Sequence, residues 1–152
     1  MTKVSSVVKV GIADLNTVQY PDKIRTLGLG SCVGIVIYDE FKKIAGLAHI
    51  LLPDSSVTKQ KPINRYKYAD TAIPLLVEQL VKMGARKHAL KAKIAGGAEM
   101  LKMNSGSDLL RIGPRNVEAT LKKLERLKIP VVAKDVGGSI LLVSQFTLYG
   151  DV

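Results

Sequence analysis

The sequence feature that most constrains the fold is a pair of apolar runs joined by a short charged turn. The first run, Val33 to Tyr38, is rich in β-branched residues, and the second runs from Ile44 to Leu52, where Pro53 stops it. Most residues between them, Asp39 to Lys43, are charged. This pattern is typical of an antiparallel hairpin, and the nearly continuous apolar character of the first run predicts a strand covered on both faces.

Two side chains that can take part in nucleophilic catalysis lie at the open end of this hairpin. Cys32, the sole cysteine of the chain, comes directly before the first arm, and His49 lies near the end of the second. A Cys and a His side by side are sufficient for nucleophilic catalysis. Gly28 and Gly30 can adopt backbone angles closed to other residues, and free N–H groups in such a turn lower a thiol pKa and stabilise an oxyanion. The alternative is a small buried cysteine beside a structural histidine.

The remaining segments predict further strands and two helices. Before the hairpin, residues 7–13 alternate as a half-buried strand, Asp14, Asn16, Pro21 and Asp22 mark a loop, and Ile24–Leu29 is a short extended piece. After it we expect a surface loop over 53–65, helices over 67–83 and 115–128, and strands over Leu90–Ala95, Val131–Ala133 and Ser139–Leu148. Pro74 falls inside the first helical pattern and is expected to kink it unless the helix begins near Asp70.

This order of elements favours an α+β fold. Strands and helices do not alternate regularly enough for a doubly wound sheet, so a mixed or antiparallel β-sheet sandwich with flanking helices fits better. A chain of 152 residues fits one domain, residues 1–152, with a core of ordinary size.

The charge of the chain is strongly basic and unevenly distributed. The net charge is +10, and residues 59–134 hold seventeen Lys and Arg against six Asp and Glu. Such an excess attracts acidic partners, or it forms the solvated faces of two lysine-rich helices. The chain has no Trp and only 5% aromatic residues, so there is little surface on which bases could stack, and nucleic acid is not an expected partner.

Composition and motifs also exclude several other classes of function. No apolar run approaches the roughly 18 residues of a membrane span, and the first residues do not resemble an export signal, so a cytoplasmic protein without membrane insertion is expected. A lone cysteine forms no internal disulfide, which suits a reducing compartment. No His, Cys and carboxylate cluster has metal-ligand spacing, and Gly28-Leu29-Gly30 lacks the frame of a phosphate-binding loop. We therefore expect neither a metal nor a cofactor.

Several motifs, in a fixed order, resemble the CheD family of chemoreceptor glutamine deamidases. The first is Thr26-Leu27-Gly28-Leu29-Gly30-Ser31-Cys32-Val33, followed seventeen residues after the cysteine by Ala48-His49 and then by Leu52-Pro53-Asp54-Ser55. The others are Tyr68-Ala69-Asp70, Lys93-Ile94-Ala95-Gly96-Gly97-Ala98, and Ile112-Gly113 with Arg115-Asn116. The resemblance covers about residues 7–138.

The resemblance implies a reaction and a set of residues for it. Cys32 is the expected nucleophile and His49 the expected base, while Thr26 orients the imidazole through either its hydroxyl or its carbonyl. The implied reaction hydrolyses selected chemoreceptor glutamine side chains to glutamate with release of ammonia, and it extends to glutamate methyl esters. The implied partners are the cytoplasmic domains of chemoreceptors and the CheC phosphatase. The implied fold is a β-sandwich with outer helices, similar to the catalytic domain of cytotoxic necrotizing factor toxins.

The C-terminal stretch departs from this family. Residues 135–151, including Ser144-Gln145, instead resemble the motif region of D-aminoacyl-tRNA deacylases, although the Gly-Pro-Val-Thr element of those enzymes is absent. Two alternatives to deamidation therefore stay open, namely a non-catalytic adaptor that binds chemotaxis proteins and, more remotely, a D-aminoacyl-tRNA deacylase.

Overall fold

The computed structural model describes residues 4–99 and 111–137, together with the backbone of 145–149. Within these ranges the strands are β1 Val7–Val10, β2 Asp14–Gln19, β3 Lys23–Leu27, β4 Val33–Asp39, β5 Ile44–Ile50, β6 Lys91–Gly96, β7 Val131–Val136 and β8 Gln145–Tyr149. The two helices are α1 Ala69–Lys82 and α2 Ile112–Arg126. No helix among the described residues is long and apolar enough to span a membrane.

The strands form two sheets, which we call the large and the small sheet. The large sheet has the order β2-β5-β4-β6-β7, and the small sheet has the order β1-β3-β8. The pairs β1–β3 and β6–β7 are parallel, and the other pairs are antiparallel. The predicted mixed α+β architecture is confirmed.

The central hairpin β4–β5 is buried on both faces, as predicted for its first arm, because each face packs against a different layer. Every residue of Val33–Asp39 and of Ile44–Ile50 is buried. One face carries Ile35, Ile37 and Ile50 into a core shared with α1 and α2. The opposite face carries Val36 and Leu47 into a second core with strands of the small sheet. The large sheet is therefore a middle layer, with helices on one side and the small sheet on the other.

The loop predicted between the first two strands is wrong, because β2 occupies most of it. Leu15 and Val18 are buried while Asp14 and Asn16 are exposed, and β2 pairs with β5 along all six of its residues. The polar side chains that suggested a turn bond to the backbone N–H of the next residue in the strand, Asp14 to Leu15 and Asn16 to Thr17. Tertiary pairing at a sheet edge has overridden local turn preference.

Other predicted elements are confirmed with shifted ends. The opening strand ends at Val10, and Ile12 is 60% exposed instead of lying on the buried side. Helix α2 begins at Ile112, earlier than predicted, because Pro114 in the first helical turn needs no N–H partner. Pro74 lies inside α1 and leaves the carbonyl of the residue four positions earlier without its usual helical donor.

The last predicted strand, Ser139–Leu148, is confirmed for its second part, since β8 pairs antiparallel with β3. Its residues 139–144 lie outside the described residues. The surface loop over 53–65 is confirmed apart from a short 3-10 turn at Ser55–Val57.

Candidate active site

Thr26 and His49 meet between the two sheets. Thr26 lies on β3 of the small sheet and His49 on β5 of the large sheet, and their side chains are almost completely buried. The hydroxyl Oγ1 of Thr26 lies 2.7 Å from Nδ1 of His49 and donates to the carbonyl of Val10 at 2.6 Å. The hydroxyl of Thr26, rather than its carbonyl, is thus the group that reaches the imidazole.

This chain of hydrogen bonds determines the tautomer of His49. The carbonyl of Val10 can only accept, so the single hydroxyl proton of Thr26 is used there. The hydroxyl oxygen then accepts from His49, which places the ring proton on Nδ1. The other nitrogen, Nε2, carries a lone pair and has no hydrogen-bond partner among the described residues. A buried imidazole with a free, unprotonated nitrogen is suited to accept a proton.

Cys32 lies on the same side of the large sheet as His49. Gly34 pairs with His49 on one side and with Ala95 on the other, so these three residues form one row. Cys32 packs with Ala95 and Leu29 in a small buried cluster, and it lies two residues before Gly34. That makes Cys32 a diagonal neighbour of His49 across the hairpin. Gly34 has no side chain that could occupy the space beside them.

Burial shifts the pKa values of Cys32 and His49 in the directions that favour their uncharged forms. Desolvation raises the pKa of the Cys32 thiol, and the hydrogen bond from its own backbone N–H acts in the opposite direction. Desolvation lowers the pKa of the His49 imidazole. Both shifts favour a neutral thiol beside a neutral imidazole over a preformed ion pair.

The backbone that carries Cys32 is fixed by the loop after β6. The N–H of Gly97 donates to the carbonyl of Cys32 at 2.8 Å, and that of Ala98 donates to the carbonyl of Gly30 at 2.9 Å. Gly28 adopts a positive φ of 74°, as expected for a tight turn, but Gly30 does not have a positive φ. Only the first of the two glycines is required by the turn itself.

Asn116 is a site residue that motif reading left without a role. It lies on the buried side of α2 and is completely buried, and its side-chain N–H₂ group donates to the carbonyls of Ser31 and Leu51. The signal in the sequence was an asparagine on the face of a helix that packs against the sheet, because a buried amide at such a position needs partners. His88, predicted to be a surface residue, is exposed.

Comparisons with known proteins agree with the motifs. The family model described as "CheD chemotactic sensory transduction" matches residues 51–141. The chain is 59% identical over 135 residues to the "Chemoreceptor glutamine deamidase CheD" of Halalkalibacterium halodurans, covering 89% of this chain and 83% of that protein. It is 54% identical over 133 residues to the protein of the same name from Bacillus subtilis, covering 88% and 80%.

Two further matches were found, one to a relative and one to a solved structure. The "Probable chemoreceptor glutamine deamidase CheD" of Oceanobacillus iheyensis is 60% identical over 136 residues, covering 90% of this chain and 82% of that protein. Among solved structures, that of the hypothetical protein YfiH from Bacillus licheniformis aligns with a TM-score of 0.44 and 13% identity over 77% of this chain and 46% of that one. The family match and the high identity along most of the chain establish that this protein belongs to the CheD family.

Proposed function

We propose that this protein deamidates glutamine side chains of chemoreceptors to glutamate, with Cys32 as nucleophile, His49 as general base and Thr26 as the residue that orients the imidazole. Relatives at 54 to 60% identity are named for this activity. The observation that carries the assignment of residues is the hydrogen-bond chain from His49 through Thr26 to Val10, because it leaves Nε2 free as a base.

The reaction begins with proton transfer from the Cys32 thiol to Nε2 of His49. The thiolate then adds to the side-chain amide carbon of the substrate glutamine and forms a tetrahedral oxyanion, which backbone N–H groups of the turn before β4 stabilise. As the intermediate collapses, the imidazolium returns its proton to the nitrogen, the C–N bond breaks and ammonia leaves a thioester.

Water completes the cycle. His49 takes a proton from a water molecule, the resulting hydroxide adds to the thioester carbon, and the C–S bond breaks with return of the proton to sulfur. The sum is one glutamine and one water converted to one glutamate and one ammonia. The same steps hydrolyse a glutamate methyl ester, with methanol as the leaving group.

The family resemblance extends this proposal to partners and location. The substrates are cytoplasmic domains of chemoreceptors, the CheC phosphatase binds the protein and restrains it, and the protein acts in the cytoplasm. The finer assignment of the fold, a likeness to the catalytic domain of cytotoxic necrotizing factor toxins, belongs to the same proposal. The two-sheet arrangement with outer helices supports it.

Mass spectrometry of receptor cytoplasmic fragments tests the proposal. After incubation with the protein, peptides that contain target glutamines should show the mass gain of an amide converted to an acid, and ammonia should be released in equal amount. Cys32→Ala should abolish both changes. Fragments that bind the protein but keep their masses would support the adaptor alternative, and that complex should survive Cys32→Ala.

A further inference from the structure

Asn116 connects α2 to both strands at the open end of the catalytic hairpin. Its side-chain nitrogen donates to the carbonyl of Ser31 at 2.9 Å and to the carbonyl of Leu51 at 3.0 Å. Ser31 directly precedes Cys32, and Leu51 follows β5, two residues after His49. A single side chain therefore joins the segment that carries the nucleophile to the segment that carries the base.

The orientation of this amide is unambiguous. Both neighbours are carbonyl oxygens, which only accept, so the nitrogen must face them. The amide oxygen of Asn116 then has no partner among the described residues, although it is buried. An unsatisfied buried acceptor costs about 1 to 3 kcal/mol. A residue chosen only for packing would carry no such cost, so the two donated bonds are the reason for an asparagine here.

The bond to Ser31 also sets the direction of the Cys32 backbone N–H. A trans peptide is planar, and its C=O and N–H point in opposite directions. The carbonyl of Ser31 points toward Asn116 on α2, which packs on the helical side of the large sheet. The N–H of Cys32 in the same peptide therefore points away from α2, toward the side on which His49 and Thr26 lie.

The peptides on either side of this one are held by hydrogen bonds as well. The carbonyls of Gly30, Ser31 and Cys32 are bound in succession by Ala98, Asn116 and Gly97. The close approach of α2 requires glycine, since a Cβ on Gly113 would lie 2.0 Å from the carbonyl oxygen of Ala98. Asn116 is the one side chain among these three donors, and it is accordingly the one that mutation can remove without altering the backbone.

We infer that Asn116 is a positioning residue for deamidation: by binding the carbonyls of Ser31 and Leu51 it holds the Cys32 N–H toward the substrate as an oxyanion donor. This inference rests on the proposed function. Removing one donor to an oxyanion costs about 100- to 1,000-fold in kcat. Loosening a donor that remains in place should cost less, roughly 10- to 100-fold, with little change in KM because the oxyanion exists only along the reaction path.

The test compares Asn116→Ala and Asn116→Leu with Thr120→Val. Leucine has a similar volume to asparagine but no N–H group to donate. The leucine variant therefore provides the test if the alanine variant does not fold. Thr120 lies on the same buried side of α2, one turn later, and its hydroxyl has no partner among the described residues. Its conversion to valine controls for any change in the packing of α2. Each variant is measured for kcat and KM on a receptor fragment and for the rate at which iodoacetamide alkylates Cys32.

Alkylation separates positioning from a purely structural role, because it needs the thiolate but forms no oxyanion. We expect both Asn116 variants to lose kcat by roughly 10-fold or more per folded molecule, while KM and the alkylation rate stay within about 3-fold of the parent. Thr120→Val should retain the parent kcat. A folded Asn116 variant with the parent kcat would overturn the inference, as would equal losses of deamidation and alkylation. An inactive parent protein would instead contradict the proposed function.

Discussion

The hydroxyl of Thr26 lies 2.7 Å from Nδ1 of His49 and thereby connects the small sheet to the large one. The same hydroxyl is anchored to the carbonyl of Val10 on the neighbouring strand of the small sheet. The orientation of the imidazole therefore depends on how the two sheets pack, as well as on the hairpin that carries His49.

Replacing Thr26 with valine should remove the acceptor for the Nδ1 proton while keeping the shape of the side chain. The imidazole is then free to rotate or to carry its proton on Nε2, where it cannot act as a base. We expect kcat for ammonia release to fall about 100-fold with KM nearly unchanged. Thr26→Ser, which keeps the hydroxyl, should recover most of the activity. A folded Thr26→Val variant as active as the parent would show that this hydrogen bond is not needed.

The pH dependence of kcat/KM should reflect a buried, neutral His49. In the proposed mechanism His49 must be unprotonated to accept the thiol proton, and burial lowers its pKa below the ordinary value of 6.5. Activity should therefore persist as the pH falls through 6.5 and decline only at lower pH. Burial also raises the Cys32 pKa above 9.0, so the thiol keeps its proton for transfer to His49 beyond that pH.

A series of kcat/KM measurements from about pH 5 to pH 10 checks this prediction. His88→Gln is the matched control, because His88 is exposed and lies outside the site. The control should leave the acidic limb in place. An acidic limb centred at or above 6.5 in the parent protein would contradict a desolvated His49.

The end of the central hairpin away from the site depends on a buried carboxylate. Asp39 is fully buried and accepts hydrogen bonds from the backbone N–H groups of Phe41 and Lys42 in the turn. It also accepts from the backbone and guanidinium of Arg86, after α1. The guanidinium holds the pKa of Asp39 well below its ordinary value of 3.8. The stabilisation is therefore complete above pH 3.8 and is lost as the pH falls toward the folded-state pKa.

Asp39→Asn should lower the free energy of unfolding at neutral pH by about 2 kcal/mol, since the amide cannot accept all of these bonds. The difference from the parent should shrink as the pH falls below 3.8, because Asp39 then takes up a proton in the unfolded parent. Denaturant unfolding of both proteins at neutral and at acidic pH measures this difference in the free energy of unfolding. Glu40→Gln is the control, because the Glu40–Lys91 pair is exposed and contributes little. An Asp39→Asn variant that unfolds like the control would contradict the prediction.

The sequence predicted best those parts whose signals are local. The β4–β5 hairpin follows from apolar runs around a charged turn, and burial of both faces was predicted for its first arm. Strand β2 was missed because Asp14 and Asn16 have strong turn preferences, while the pairing with β5 that decides their conformation is distant in sequence. Local propensity carries no information about a partner strand 30 or so residues away.

In the candidate site, too, the features with local sequence signals could be predicted and those that depend on tertiary contacts could not. The placement of Cys32 and His49 at the same end of the hairpin follows from its two antiparallel strands alone. Thr26 was expected from family resemblance, and no spacing rule would have placed its hydroxyl on Nδ1, because that contact depends on packing between sheets. The bonds of Asn116 to Ser31 and Leu51 span 85 and 65 residues. Only the tertiary structure brings these groups together.

Gly96 packs against the backbone of Cys32 so closely that a side chain would not fit there. Its φ is +104°, and a Cβ there would lie 2.2 Å from the carbonyl oxygen of Cys32. That oxygen is held by the N–H of Gly97, so it cannot move aside without breaking this bond. Gly96→Ala should therefore lower the free energy of unfolding by about 2 kcal/mol or more and reduce kcat by displacing Cys32.

Gly30 is the matched control, because it lacks a positive φ and a Cβ there would meet nothing within 4 Å. Gly30→Ala should change stability by no more than about 0.5 kcal/mol. Thermal and denaturant unfolding of the two variants, measured with kcat, check the pair, and equal stabilities would contradict the strain assigned to Gly96.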